Sequence, residues 1–226
     1  MKIVASILAA VLPMATAAQN LPEQFKLSGV SLRPSVYQGS NALEVRMPPA
    51  QYQNPLQEAL SDRNFMAWLP MDFGDGTIEV DLASDLAADA PDYARGFVGL
   101  AFRIDAKGHF ENLYLRPTNS TAPDQIRRNH TIQYAAYPDF RFDQLRQQSP
   151  EKYETWADIA TGQWIHLRVV IDGATLRLYL DGSPRPAFIV NDMKLPATQR
   201  GGVGIWIESG TVAHFKNLHV TTTTKR

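Results

Sequence analysis

Hydrophobic and polar residues alternate along residues 162–182, which read GQWIHLRVVIDGATLRLYLDG. The period of two is typical of a β-strand with one buried face. The dipeptide Asp172-Gly173 interrupts the alternation and is typical of a tight turn with positive φ angles. The positions predicted to be buried are Ile165, Leu167, Val169, Ile171, Leu176, Leu178 and Leu180. The segment therefore predicts a β-hairpin in an antiparallel sheet that has one face in a core.

Short strand-like segments of this kind follow one another along most of the chain. Residues 76–83 alternate between apolar and polar side chains, and residues 95–104 are apolar at nearly every position, which predicts a central strand. A convincing helical pattern occurs only around Phe142–Gln148. Because parallel strands need long crossover connections, the strands are predicted to be antiparallel. The fold class is therefore all-β, a two-sheet antiparallel sandwich with one or two short helices.

The first 20 residues, MKIVASILAAVLPMATAAQN, differ from the rest of the chain. One lysine precedes an apolar run, and an Ala-Thr-Ala sequence at residues 15–17 offers the small residues of a cleavage site. This order is typical of a secretory signal peptide, and the run is too short for a comfortable membrane span. We therefore predict a signal peptide at residues 1–18, a single domain at 21–220 and a polar, frayed tail at 221–226.

The chain contains no cysteine and carries a formal net charge of −1. An exported protein without disulfides must be stabilised by its core alone, which in a chain of this length is typical of bacteria. We predict a periplasmic or secreted bacterial protein with no membrane span after signal removal. Without a basic stripe, nucleic acid is not an expected partner. The absence of cysteine also excludes thiol catalysis and cysteine-based metal sites.

Metal ligands are sparse in the sequence, which contains no His-x-x-x-His pair. Asp72, Asp75 and Asp81 lie near a Gly-Asp-Gly turn and carry the oxygen ligands that calcium prefers. The alternative interpretation is that Asp and Gly occur there because the turn requires their conformations. The sequence therefore predicts no cofactor and no metal site, with Ca²⁺ at these aspartates as the alternative.

Alternation also predicts a polar sheet face built from three consecutive strands. If residues 95–104, 109–116 and 129–137 are neighbouring strands, their alternate side chains point to one side. Small residues would form the floor of this face, beneath amide, phenol and guanidinium groups that pair with sugar hydroxyls. The candidate ligand-binding residues on the face are Arg103, Asn112, Tyr114, Arg116 and Gln133. The alternative is an ordinary solvated face, which is common in antiparallel sheets.

The polar loop at residues 117–130 adjoins this face. Loops on a rigid scaffold often carry binding residues. Arg127 and Arg128 could clamp the carboxylate or sulfate of an acidic glycan, or could instead pair with Asp124 or Asp139. The loop contributes Asn119, Arg127, Arg128 and Asn129 as candidate ligand-binding residues, and Asp124 and His130 as candidate acids or bases.

Two further clusters place a carboxylate beside a tryptophan. Glu154 lies two residues before Trp156, and Glu208 lies two residues after Trp206, so each pair shares a strand face. Such pairs resemble the rims of sugar sites, which makes Trp156 a candidate ligand-binding residue and both glutamates candidate catalytic groups. The alternative is that the two tryptophans belong to the core.

Two of these segments, with a third between them, carry a resemblance to a known family. Residues 162–182, the run GGVGIWIESGTVAHFKNLHV from Gly201 and the run GFVGLAFRI from Gly96 resemble the concanavalin A-like lectin/glucanase superfamily. The laminin-G-like and 3-keto-disaccharide-hydrolase-like branches are the most similar. The resemblance implies a jelly-roll sandwich of two curved sheets, with a glycan site on the concave sheet or its rim. It does not by itself imply catalysis.

Three functions are consistent with these patterns. The leading hypothesis is an exported carbohydrate-binding domain that engages a glycan through the polar face and the adjoining loop. The first alternative is a glycoside hydrolase of the 3-keto-disaccharide-hydrolase type acting on a modified sugar. Its acid or base would be one of Glu154, His130, Asp124 and Glu208. The second alternative is a protein-interaction module that binds through a sheet face.

Overall fold

Two antiparallel sheets of seven strands each form a sandwich in the computed structural model, which describes residues 22–223. The strands are β1 (Lys26–Ser28), β2 (Ser31–Tyr37), β3 (Ser40–Arg46), β4 (Met66–Phe73), β5 (Asp75–Leu86), β6 (Val98–Ile104), β7 (Phe110–Leu115), β8 (Ile132–Tyr137), β9 (Glu154–Thr155), β10 (Ile165–Asp172), β11 (Thr175–Leu180), β12 (Phe188–Val190), β13 (Gly201–Ile207) and β14 (Thr211–Thr223). The predicted all-β, two-sheet fold is confirmed.

The two sheets differ in which strands they combine. The front sheet has the order β1-β4-β13-β6-β7-β8-β9, and the back sheet has the order β12-β11-β10-β5-β14-β3-β2. Side chains from the inner faces of both sheets form the main core, including Leu100 and Phe102 of β6 and Val80 and Leu82 of β5. Each of these four side chains is fully buried. The sandwich is therefore held together by apolar packing between the sheets.

The predicted hairpin is confirmed as the β10–β11 pair, with Leu167 opposite Leu180 and Ile171 opposite Leu176. Its turn lies one residue later than the sequence suggested, because Asp172 still pairs with Thr175. The two turn residues are Gly173 and Ala174, and Gly173 has a φ of 60°. Glycine at the first turn position is the arrangement that a two-residue hairpin with this backbone prefers.

Three short α-helices lie between the front-sheet strands: α1 (Pro117–Ser120), α2 (Gln125–Asn129) and α3 (Phe142–Gln148). The helix expected at Phe142–Gln148 is confirmed by α3. The first two helices occupy a segment that the sequence predicted to be a loop. Short 3-10 turns also occur at Pro22–Gln24 and Pro49–Gln51. Among residues 22–223, no helix is long and apolar enough to span a membrane.

The outer face of the front sheet carries a second apolar cluster. Its buried members are Met66, Ala101, Ile104, Phe110, Tyr114, Ala135 and Trp206. Residues 53–62 and α3 lie over part of this face: Ser61 hydrogen bonds to Asp143, and Asp62 accepts the backbone N–H of Phe142. We call these two segments the cover. The centre of the front sheet is therefore buried on both sides, which corrects the expectation of a solvated polar face.

Two predicted segments concern the chain ends. The predicted signal peptide lies outside the described residues. β14 continues to Thr223, and Thr221, Thr222 and Thr223 pair with β5, so the first half of the predicted tail is strand in the structure.

Candidate functional site

A cavity of about 300 Å³ opens on the outer side of the front sheet, between the cover, residues 93–97 and the segment that contains α1 and α2. The sequence-predicted residues that line it are Tyr114, Arg116, Asn119, Asp124, Arg127, His130 and Glu208. The lining residues that the sequence analysis missed include Asp62, Arg95, Phe97, Phe142, Arg146 and Trp206. The cavity therefore combines residues from β7 and β13 with residues from four connecting segments.

An aromatic floor is built on a glycine. Gly99 lies between Trp206 of β13 and Tyr114 of β7 in the strand register. A Cβ atom at this glycine would stand 2.4 Å from the Cα atom of Tyr114, so no larger residue fits. The rings of Tyr114 and Trp206 meet above it, with centroids 4.6 Å apart. Both rings are buried, so Trp206 belongs to a core cluster, as the alternative interpretation held.

The hydroxyl of Tyr114 connects the floor to the cover. It donates to Oδ1 of Asp62 over 2.7 Å and accepts from Nη2 of Arg116 over 2.8 Å. The other oxygen of Asp62 accepts the backbone N–H of Phe142 over 2.8 Å. Burial raises the pKa of Asp62 to about 6, because the charged form is poorly solvated there. Asp62 therefore holds the cover against the sheet through two hydrogen bonds.

Arg116 is fixed from below by neighbouring strands. Its Nη1 donates to the backbone oxygen of His130 and to Oε1 of Gln133, both over 3.2 Å. The amide nitrogen of Gln133 donates in turn to two backbone oxygens, those of Tyr134 and Tyr153. Gln133 is fully buried and does not line the cavity. The structure gives this predicted ligand-binding residue contacts that position Arg116.

Glu154, a predicted catalytic candidate, lies among three basic side chains. Arg146 binds both of its oxygens, His130 Nε2 lies 3.2 Å from Oε2, and Arg116 Nη1 lies 3.7 Å from Oε1. Burial lowers the pKa of His130, so the ring is neutral near pH 7 and Nε2 donates the hydrogen bond. These contacts hold the carboxylate in an ion-pair network behind the cavity wall.

The other two acidic candidates are also engaged. Glu208 Oε1 accepts from Arg63 over 2.8 Å and from the backbone N–H of Ser209 over 2.8 Å. Asp124 is the N-cap of α2, where its side chain accepts the backbone N–H of Arg127 over 2.9 Å. These contacts explain structurally why carboxylates occur at both positions.

Two arginines at the cavity are bound by neutral groups. Arg127 donates from Nε to Oδ1 of Asn119 over 2.9 Å and from Nη2 to the hydroxyl of Thr118 over 3.4 Å. Arg95 donates from Nη1 to the backbone oxygens of Asp92 and Ala94, both over 2.7 Å. Within residues 22–223, neither guanidinium has a carboxylate oxygen within 4.0 Å. The alternative pairing of Arg127 with Asp124 or Asp139 is therefore not present.

Arg103 lies away from the cavity, which corrects its predicted place on the shared face. The β6–β13 register shifts beside it, and Arg103 has a positive φ of 54°. This bulge turns the side chain out of the strand alternation. The fully buried guanidinium binds the backbone oxygens of Gly74 and Gly173 and Oδ1 of Asp75. Arg103 ties strand ends of the two sheets together.

Four other predicted residues do not line the cavity. Asn112 lies on the expected face between Ala101 and Ala135, but it is buried. Asn129 accepts a hydrogen bond from Gln125 within α2. Arg128 stands 5.8 Å from the ring centre of Trp156. Trp156 is 43% exposed, so it is a surface residue and its assignment to the core was wrong.

The three aspartates considered for calcium have separate partners. Asp72 pairs with Arg200, Asp75 with Arg103, and Asp81 with His166. In the described part of the chain, no group of three or more His, Asp or Glu side chains is arranged to hold a metal ion.

Comparisons with known proteins agree with this architecture. A family model described as the concanavalin A-like lectin/glucanases superfamily matches residues 100–210. The carbohydrate binding module CBM66 from Bacillus subtilis superimposes with a TM-score of 0.51 at 13% identity, covering 85% of this chain and 94% of its own. A Bacillus subtilis protein of unknown function with a galectin-like fold gives a TM-score of 0.55 at 12% identity, covering 91% and 92%. A search of curated protein sequences found no match.

These findings define the class of the protein. The resemblance seen in the sequence is confirmed, and the chain has a concanavalin A-like, galectin-like β-sandwich fold. The finer resemblance to 3-keto-disaccharide hydrolases stays a prediction.

Proposed function

We propose that this domain binds a carbohydrate in the cavity above Tyr114 and Trp206. The observation that carries the proposal is a cavity of about 300 Å³ with an aromatic floor and a rim of guanidinium groups. Small-molecule sites generally combine an apolar lining with a few placed polar groups, and this volume is at the lower end of their range. Sugar rings need this combination, because their C–H faces pack on aromatic rings while their hydroxyls take hydrogen bonds.

The fold gives independent support. One of the structurally similar proteins is by its title a carbohydrate binding module, and another has a galectin-like fold. Because fold alone does not determine function, the proposal depends on the cavity and uses these likenesses only as support. We also propose that the protein is exported to the periplasm or the medium, on the strength of its first 18 residues.

The acidic groups favour binding over hydrolysis. Glu154 is held by Arg146, Glu208 is held by Arg63, and Asp124 caps α2. A glycosidase needs one carboxyl group that can donate a proton and a second that can act as base or nucleophile. Asp62 is the exception, because burial raises its pKa to about 6 and it lines the cavity. It supports hydrolysis as the second candidate.

The test is a glycan array followed by calorimetric titration of the best oligosaccharide. Phe97 is a partly exposed wall of the cavity, with its ring centre 6.4 Å from that of Tyr114. We expect Phe97→Ala to weaken binding about tenfold, because it removes apolar contact area without opening a core. Leu56→Ala is the matched control, since Leu56 is 93% exposed and does not line the cavity.

Equal affinity of Phe97→Ala and the native protein would contradict the proposed site. The same titrations distinguish the second candidate. Release of new reducing ends that disappears in Asp62→Asn would favour hydrolysis, and an unchanged oligosaccharide after long incubation would favour binding.

A further inference from the structure

We propose that the glycan carries an acidic group, a carboxylate or a sulfate, and that Arg95 and Arg127 bind it. This inference rests on the proposed function and specifies the ligand class of the same cavity.

The first step is the charge of the lining. Four arginines line the cavity: Arg95, Arg116, Arg127 and Arg146. Two of them, Arg116 and Arg146, have the carboxylate of Glu154 as a partner. The other two have no carboxylate oxygen within 4.0 Å among residues 22–223. A neutral sugar needs only hydrogen-bond donors and acceptors, so two uncompensated guanidinium groups exceed what it requires.

The second step concerns the acidic residues that share the cavity. Asp62 accepts from Tyr114 and Phe142, and Glu208 pairs with Arg63. Asp124 accepts the backbone N–H of Arg127, but its carboxylate does not reach the guanidinium group. The positive charge at Arg95 and Arg127 is therefore left for an anion from outside the described chain.

The third step is the orientation of the two side chains. Arg127 is held through Nε and Nη2 by Asn119 and Thr118, and Arg95 is held through Nη1 by two backbone oxygens. No described residue accepts from Nη1 of Arg127 or from Nε and Nη2 of Arg95. Neutral acceptors thus fix each guanidinium without neutralising it, and leave N–H groups for a ligand.

Mutual repulsion gives further support. Burial lowers the pKa of Arg95, and the nearby charges of Arg127 and Arg116 lower it further. Like charges held together in a partly buried site favour an anion between them, because the anion relieves the repulsion and restores solvation.

The experiment compares matched ligands on the full chain. Uronic-acid oligosaccharides are titrated beside their carboxyl-reduced counterparts, and sulfated galactan oligosaccharides beside their desulfated counterparts. We expect one acidic series to bind about tenfold to a hundredfold tighter than its neutral counterpart, with affinity that falls as salt is raised. The series that shows the difference identifies the group as carboxylate or sulfate.

The variants are Arg95→Gln and Arg127→Gln, each expected to remove most of the preference for the acidic ligand. Arg185→Gln is the control with the same change of charge, at an exposed residue outside the cavity lining. Equal binding of acidic and neutral ligands would overturn the inference while leaving glycan binding intact. Failure of every glycan, neutral or acidic, would overturn the proposed function as well. A preference that survives in both variants would also overturn the assignment to these arginines.

Discussion

At the scale of single residues, the hydroxyl of Tyr114 has the largest share of the polar contacts in the site. It donates to Asp62 and accepts from Arg116, and all three residues are buried. A buried polar group that loses its partner costs more than the lost hydrogen bond contributed, because the group remains desolvated. The site is therefore sensitive to the loss of this one oxygen atom.

Tyr114→Phe tests that sensitivity. The change leaves Asp62 and Arg116 each without one partner, so we expect the free energy of unfolding to fall by about 1–3 kcal/mol. Urea denaturation followed by tryptophan fluorescence measures it. Tyr179→Phe is the control, because Tyr179 is partly exposed and no described residue hydrogen bonds to its hydroxyl. Equal losses in the two variants would show that the Tyr114 network contributes nothing special to stability.

At the scale of elements, α2 sets the position of Arg127. The helix begins after Asp124, whose carboxylate accepts the backbone N–H of Arg127. A five-residue helix has little stability of its own, so its cap and its packing decide whether it forms. The polar loop that the sequence predicted is ordered by a residue that the sequence analysis took for an acid or base.

Asp124→Ala and Asp124→Asn separate these two roles. The alanine variant removes the cap, and we expect it to lower the free energy of unfolding by about 0.5–2 kcal/mol. The asparagine variant keeps a capping oxygen, and we expect a change of only a few tenths of a kcal/mol. Thermal unfolding monitored by circular dichroism measures both. Equal loss in the two variants would mean that the negative charge matters and the cap does not.

The sequence predicted elements better than it predicted their surroundings. The period of two located β10, β11 and the face shared by Asn112, Tyr114 and Gln133, because alternation is a local property of the chain. It failed at Arg103, where a bulge in the β6–β13 pairing changes the parity. It also missed Asp62 and Arg95, because these residues reach the cavity through connections that have no periodic pattern.

At the scale of the whole molecule, buried carboxylic acids make stability depend on pH. Glu111 is fully buried and accepts from the hydroxyl of Tyr134 over 2.5 Å and from the backbone N–H of Leu195 over 3.0 Å. Burial nevertheless raises its pKa to about 7, from an ordinary value of 4.5. The folded state thus binds this proton more tightly than the unfolded chain, and stability falls as pH rises between these two values.

Glu111→Gln tests this dependence. The shift corresponds to about 3 kcal/mol that is present below pH 4.5 and lost by about pH 7. We expect the variant to have a flatter profile of unfolding free energy from pH 5 to 8, measured by urea denaturation. Glu151→Gln, at an exposed site, should leave the profile unchanged. Asp62 titrates in part of the same range, so some slope should persist. An unaltered slope in Glu111→Gln would assign the pH dependence to other groups.

The double burial of the front sheet has a thermodynamic consequence. Unfolding wets the main core and, in addition, the cluster around Trp206 and Phe110 on the opposite side of the same strands. Hydration of apolar surface raises the heat capacity, so each front-sheet strand contributes to that increase from two faces where an ordinary sandwich strand contributes from one. The curve of stability against temperature is correspondingly more strongly bent, and the protein weakens on cooling as well as on heating.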